Sequence, residues 1–179
     1  MKPVLLLFLL FLITACQQAP IKSKTKHSRA KISSLSQKLL VAEKKASKEG
    51  RKILATGRKM TLIDKKVVRG SCWDFANAVY NDAGYPNKKK KRLIVFKGKK
   101  RKGPYAKQNL IKAGDFLYYI NHSYHDGEHS AIFVSWLSYK KKTALMLSYA
   151  GQNKKTPARY KAYDLSHVYH IIRPKSLKK

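Results

Sequence analysis

Acidic residues are scarce in this sequence. Its 179 residues contain 9 Asp and Glu against 40 Lys and Arg, which gives a formal net charge of +31. A surplus of this size favours polyanionic partners. Much of it lies in residues 88–102, where ten of the fifteen residues are basic. The alternative interpretation is a solvated basic surface without a specific partner. The candidate polyanion-binding residues are Lys88, Lys89, Lys90, Lys91, Arg92, Lys99, Lys100, Arg101 and Lys102.

Long apolar runs are also missing. The run at residues 4–13 is too short to span a bilayer as a mature helix. Lys2 precedes it, and Ala15 and Cys16 follow it, which is the order typical of a secretory signal. The segment resembles the lipobox of bacterial lipoproteins, in which the cysteine becomes the acylated N-terminus. An ordinary signal peptide that is cut near Ala15 is the alternative.

The lipobox resemblance implies a protein of the bacterial cell envelope. Cys16 would carry the lipid that attaches the chain to a membrane. Gln17 and Gln18 follow it, whereas an aspartate there would favour retention at the inner membrane. We therefore expect the outer membrane, with the domain facing the periplasm. Outside the cytoplasm we expect no nucleic-acid partner, and the available polyanions are peptidoglycan and other envelope polymers.

The length of the chain limits its organisation. A sequence of 179 residues supports one hydrophobic core and hardly two, and it contains no internal repeat. We expect a signal peptide at residues 1–15, a flexible basic tether at residues 16–33 and a single domain at residues 34–179.

Periodicity predicts helices first and strands afterwards. Ser34 and Gln37 have capping-box spacing and begin a long helix, which is predicted to end by Gly57 and to be weakened at Gly50. Further along the chain, five runs rich in β-forming residues predict strands. They are residues 93–96, 114–120, 129–137, 143–149 and 167–172. This order indicates an α+β domain with an antiparallel sheet.

Cysteine is scarce as well, with two in the chain. If Cys16 is lipidated, Cys72 has no intramolecular disulfide partner. Apolar residues recur after Cys72 at helical spacing, with Ser71 as the N-cap and Asp74 three residues later. The first turn of a helix carries unpaired N–H groups and the positive end of the dipole, and both favour a thiolate. Cys72 is therefore a candidate nucleophile, and a small buried hydrophobic residue is the alternative.

A cysteine nucleophile needs a general base. His129 is the best candidate, because it opens an apolar strand that would hold the imidazole at a cleft. His122 and His125 are expected in the preceding loop. The three histidines could also suit zinc, although their spacing matches no closed zinc motif. We expect no metal and no cofactor.

Three short motifs follow one another in a characteristic order. They are Cys72 in SCWDF, Gly114 and Asp115 in AGDFLYY, and His129 in EHSAIFVSW. This order resembles the NlpC-type papain-like superfamily, which includes the CHAP amidases. The resemblance implies a papain-like domain with N-terminal helices packed on a small antiparallel sheet. It also implies a Cys–His peptidase or amidase.

The resemblance further implies a third catalytic group on the strand after the histidine. Ser148 falls near that position by register, and Gln152 could reach it if the strand bends at Gly151. The SCW triplet at residues 71–73 departs from the Asp-Cys-Ser of most members. The implied reaction is cleavage of a peptidoglycan amide, in the stem peptide or at the muramoyl group. The alternative is a non-catalytic, lipid-anchored basic domain that binds envelope polyanions.

Overall fold

Three α-helices precede a six-stranded antiparallel sheet in the computed structural model, which describes residues 23–176. The helices are α1 Ser23–Lys45, α2 Lys48–Arg58 and α3 Cys72–Asp82. The strands are β1 Arg92–Lys97, β2 Phe116–Asn121, β3 Gly127–Ser138, β4 Thr143–Ser148, β5 Arg159–Asp164 and β6 Val168–Pro174. The predicted α+β class is confirmed. Within residues 23–176, no helix is long and apolar enough to cross a membrane.

The expected signal peptide, Cys16 and the first part of the expected tether lie outside the described residues. The rest of that tether, residues 23–33, belongs to α1. This helix therefore begins before the Ser34 N-cap that capping-box spacing predicted.

The predicted long helix is wrong in its extent, because the chain forms two helices there. α1 ends at Lys45, and Ser47 caps α2 by accepting a hydrogen bond from the N–H of Gly50 at 3.0 Å. Gly50 thus lies in the first turn of α2 and not in the middle of a helix. Arg58 links the two helices through two hydrogen bonds to the Glu43 carboxylate, at 2.6 and 3.2 Å.

The strands follow the order β1-β6-β2-β3-β4-β5 in the sheet. Tyr119 of β2 pairs with His129 of β3, and Ala131 of β3 pairs with Ser148 of β4. Ser148 pairs in turn with Arg159 of β5. Because these neighbours are antiparallel, the starts of β3 and β5 and the end of β4 meet at one end of the sheet.

Sequence patterns missed β5. It reads RYKAYD, and Tyr163 is its buried residue. An edge strand with solvated side chains lacks the apolar alternation that marks a half-buried strand. The other five predicted strands are confirmed, each with ends within two residues of the prediction.

An apolar cluster lies on each face of the sheet. The first joins the helices to the sheet and includes Leu39, Ile53, Leu54, Phe75, Val79, Tyr80, Phe116, Ile132 and Leu147. The second lies on the opposite face and includes Ala106, Ile111, Leu117, Tyr119, Ala131, Phe133, Met146, Tyr163, Val168 and Ile171. Alternation along each strand explains the division, since neighbouring residues point to opposite faces.

Tyr80 fixes α3 to the start of β2. Its fully buried hydroxyl donates to the carbonyl of Gly114 at 2.7 Å and accepts from the N–H of Phe116 at 3.0 Å. Asp115 accepts two hydrogen bonds from Arg173, at 2.7 and 2.8 Å. The Gly-Asp pair of the AGDFLYY motif therefore shapes the entry into β2 and anchors α3.

Candidate active site

Cys72 lies at the N-terminus of α3, as the sequence predicted. The Ser71 hydroxyl accepts from the N–H of Trp73 at 3.2 Å, and the Asp74 carboxylate accepts from the N–H of Ser71 at 2.7 Å. This capping box fixes the turn that presents the half-buried thiol. The N–H of Cys72 belongs to the first turn, whose N–H groups have no acceptor inside the helix.

His129 lies near the start of β3 and is held by its neighbours. Its Nε2 atom is 2.8 Å from Ser148 Oγ, which is in turn 3.0 Å from the Tyr163 hydroxyl. The ring makes an edge contact with Tyr119, at 5.6 Å between ring centres. Because Ser148 occupies Nε2, Nδ1 is the nitrogen left to act on the thiol of Cys72.

The thiol of Cys72 is shifted toward its ionised form. Burial raises its pKa, but hydrogen bonding to His129 and the positive charge of that ring outweigh burial. The Ser130 hydroxyl adds a hydrogen bond to Cys72 Sγ at 3.3 Å. Together these contacts lower the pKa of Cys72 to about 7. A thiol with this pKa is about half ionised, and to that extent nucleophilic, at neutral pH.

Cys72 and His129 line a cleft of about 610 Å³. Ser148 and Gln152 line the same cleft, so all four predicted catalytic residues meet there. Their contacts differ, however. Ser148 holds the imidazole, whereas the Gln152 side-chain oxygen accepts from the N–H of Gly70 at 2.7 Å. Of the two candidate third groups, Ser148 is the one that contacts His129.

Gln152 has a different place in the cleft. Its own N–H donates to the carbonyl of Gly70 at 2.8 Å, which completes a two-bond clamp between the β4–β5 loop and the turn before Cys72. This clamp joins two segments that are distant in the sequence. It keeps the loop that follows β4 beside the nucleophile.

The predicted basic residues do not form one uniform surface. Lys88, Lys90, Lys99, Lys100, Arg101 and Lys102 are exposed, and Lys91 is half-buried. Arg92 departs from the prediction. Its guanidinium donates to the carbonyl of Tyr85 and to the side-chain oxygens of Asn77 and Asn81, at 2.7–2.9 Å, and it lies over the Tyr80 ring. Arg92 therefore stabilises the packing of α3 against β1.

The other histidines of the predicted loop are separate from Cys72. His122 Nδ1 is 2.7 Å from Asp126, and its Nε2 is 2.6 Å from Nδ1 of His167. His125 is exposed. In the described part of the chain, no group of three or more His, Cys, Asp or Glu residues could hold a metal ion.

Sequence reasoning missed Ser130 and Tyr163. Ser130 follows His129 directly, and alternation along a strand would have placed its side chain on the face toward α3. Tyr163 lies on β5, which carried no strand signal. Its contact with Ser148 depends on the pairing of β4 with β5.

No family model, curated protein or solved structure matches this chain. The NlpC-type assignment therefore stays a prediction from the motifs, and function is inferred from the geometry of the site.

Proposed function

We propose that this protein is a cysteine hydrolase of the bacterial cell envelope that cleaves an amide bond of peptidoglycan. One observation carries the proposal. A thiol at a helix N-terminus, with a pKa lowered to about 7, stands beside a histidine whose far nitrogen is held by Ser148 at 2.8 Å. A nucleophile, a base and a group that orients the base are the parts that acyl transfer through cysteine requires.

The reaction runs in two halves. His129 takes the proton from Cys72, and the thiolate attacks the amide carbonyl carbon. The N–H of Cys72 donates to the oxyanion that forms. The C–N bond then breaks, and His129 returns its proton to the departing amine. In the second half, His129 deprotonates a water molecule that attacks the thioester, which releases the carboxylic acid and restores the thiol.

The substrate class and the location come from features outside the cleft. The lipobox-like segment ending at Cys16 favours a lipid-anchored protein, and the net charge of +31 favours adhesion to an anionic polymer. Peptidoglycan is anionic and contains amide bonds in its stem peptides and at its muramoyl groups. The outer membrane, facing the periplasm, is the location that we propose.

Digestion of purified peptidoglycan tests the activity. The full chain is incubated with the polymer, and soluble fragments are identified by mass spectrometry. We expect defined fragments whose masses name the bond that is cut. Cys72→Ala and His129→Gln should release none, because the first removes the nucleophile and the second removes its base.

His125→Asn is the matched control. It also replaces a histidine by a neutral amide, at an exposed position whose positive φ of 49° asparagine tolerates. It should digest peptidoglycan as the parent does. Equal release by the parent and by Cys72→Ala would overturn the proposed mechanism.

A non-catalytic binding role is the second candidate. It is favoured by the exposed cations of the basic block, which include Lys88, Lys90 and Lys102. On this alternative, neither the parent nor Cys72→Ala releases fragments, while both sediment with peptidoglycan at low salt. That result would replace the hydrolase proposal with an anchored polyanion-binding domain.

A further inference from the structure

One wall of the cleft carries three cationic side chains. Arg159 and Lys161 lie on β5, Lys154 lies in the β4–β5 loop, and all three line the cavity that Cys72 and His129 share. Among the described residues, no Asp or Glu lines this cavity. Its walls therefore hold a local surplus of positive charge.

Strand register places two of these cations beside the histidine network. Arg159, Lys161 and Tyr163 alternate along β5 and so share one of its faces. Tyr163 on that face contacts Ser148, which pairs with Arg159 across the β4–β5 ladder. The cations are therefore neighbours of the group that orients His129.

In the part of the chain that the structure describes, no carboxylate neutralises these three cations. Within residues 23–176, none of them takes part in an ion pair. The Lys161 ammonium lies 5.7 Å from the centre of the Tyr163 ring, which keeps it near the network. Unpaired cations that line a cleft concentrate anions there, and guanidinium and ammonium groups bind carboxylates well.

We propose that Lys154, Arg159 and Lys161 form a subsite for a carboxylate that the substrate carries near its scissile amide. The proposal rests on the proposed function for the amide-cleaving step, and it adds the substrate class. That class is a peptide with a free carboxylate close to the bond that is cut. Neutral amides of the same size would be poorer substrates.

The rate at which Cys72 is alkylated can measure the electrostatic potential in the cleft. Iodoacetate carries a carboxylate, and iodoacetamide is its neutral counterpart of nearly the same size. The ratio of their rate constants at Cys72 therefore measures how strongly the cleft attracts a carboxylate. The full chain is treated with each reagent, and modification of the peptide containing Cys72 is followed by mass spectrometry.

The triple variant Lys154→Gln/Arg159→Gln/Lys161→Gln should lower this ratio about eightfold, since each cation that lines the cleft contributes roughly a factor of two and three are removed. High salt should lower the ratio in the parent as well, because it screens the same field. The single variants Arg159→Gln and Lys161→Gln repeat the test with smaller changes, and both positions are exposed.

The matched control is Lys97→Gln/Lys140→Gln/Lys141→Gln. It removes the same number of charges from exposed positions on β1 and on the β3–β4 turn, none of which lines the cleft. Its ratio should stay close to that of the parent. Equal losses in both triple variants, or an unchanged ratio in the cleft variants, would overturn the subsite.

This test is separate from that of the proposed function. Both reagents need the same thiolate, so its reactivity cancels in the ratio. Slow alkylation by both would count against an activated nucleophile, while the ratio would still decide whether the subsite exists.

Discussion

At the scale of single residues, the thiol of Cys72 is governed by two opposing effects. Burial favours the neutral thiol, while His129 and Ser130 favour the thiolate, and the outcome is a pKa of about 7. Roughly half of the molecules then carry a thiolate at neutral pH. The reactivity of Cys72 therefore depends on its contacts with His129 and Ser130.

The first prediction concerns the pH dependence of Cys72 alkylation. In the parent, the rate of reaction with iodoacetamide should rise with pH around a midpoint near 7. His129→Gln removes the largest effect that lowers the pKa and leaves burial, so the midpoint should move to or above the ordinary value for cysteine. His125→Asn should leave it unchanged. A midpoint that does not respond to His129→Gln would contradict this assignment.

The second prediction separates the two candidate third groups. Ser148→Ala leaves His129 Nε2 and the Tyr163 hydroxyl without their shared partner. Peptidoglycan hydrolysis should lose about tenfold to a hundredfold in kcat, since leaving a buried polar group unpaired costs about 1–3 kcal/mol. Tyr163→Phe keeps the ring and should have a smaller effect.

Gln152→Ala provides the comparison for Ser148→Ala. It removes the bond to the N–H of Gly70 and should loosen the cleft wall, with its main effect on KM. If Gln152→Ala lowered kcat more than Ser148→Ala, Gln152 would replace Ser148 as the orienting group.

At the scale of elements, two glycines let α2 approach the turn before β2. A Cβ on Gly114 would lie 2.6 Å from the Cα of Gly50, and a Cβ on Gly50 would lie 2.3 Å from the carbonyl oxygen of Ala113. Gly114 also has a φ of +91°. The close contact packs α2 against the turn before β2. In the same turn, the carbonyl of Gly114 accepts a hydrogen bond from the Tyr80 hydroxyl of α3. The Gly-Asp motif is thus a packing device that helps to hold the helix carrying Cys72.

The third prediction uses two glycines with nearly equal backbone angles. Gly114→Ala combines a positive φ with a backbone clash and should lower the free energy of unfolding by about 3 kcal/mol or more. Gly84 has a φ of +89°, but a Cβ there meets only the end of the Lys52 side chain at 3.9 Å. Gly84→Ala should cost about 1 kcal/mol. Urea unfolding compares the two variants. Equal losses in the free energy of unfolding would show that the backbone clash at position 114 is relieved and would contradict the prediction.

At the scale of the whole molecule, the positive charge is spread over many exposed side chains. Such a surface binds anionic polymers with modest specificity and strong dependence on salt. Arg92 differs from the exposed lysines of the basic block, because its guanidinium joins β1 to α3. The number of basic residues in the sequence therefore differs from the number of cations that a partner can contact.

The fourth prediction tests this distinction. Sedimentation of the full chain with peptidoglycan should be strong at low salt and should fall as the Debye length shrinks from about 10 Å at 0.1 M salt to about 3 Å at 1 M. Lys88→Gln/Lys90→Gln/Lys102→Gln should weaken binding at low salt and leave the free energy of unfolding nearly unchanged.

Arg92→Gln should show the opposite behaviour. It breaks partly buried hydrogen bonds and should lower the free energy of unfolding by about 1–3 kcal/mol, with little effect on binding. A result in which Arg92→Gln and the lysine variant weakened binding alike would restore Arg92 to the binding surface.

Local patterns in the sequence determined much of this protein. They predicted the α+β class, five of the six strands, the capping box of α3 and the place of Cys72 in its first turn. These features depend on residues within a few positions of one another, because caps and periodicity are local. The apolar strand that His129 opens selected it as the base for Cys72, and the resemblance to known motifs added Ser148 and Gln152 as candidates for the third group.

Only the tertiary structure decided which of these groups touch. Ser148, and not Gln152, contacts His129, and the Ser130 hydroxyl contacts the thiol of Cys72. The guanidinium of Arg92 packs at the interface between β1 and α3. The strand β5, which carries two of the cleft cations and Tyr163, is recognised from its pairing with β4 and not from an apolar pattern in the sequence. The physical reason is that hydrogen-bond partners and field strengths depend on distances between segments far apart in the chain. Those distances are set by register and packing, which a local pattern does not encode.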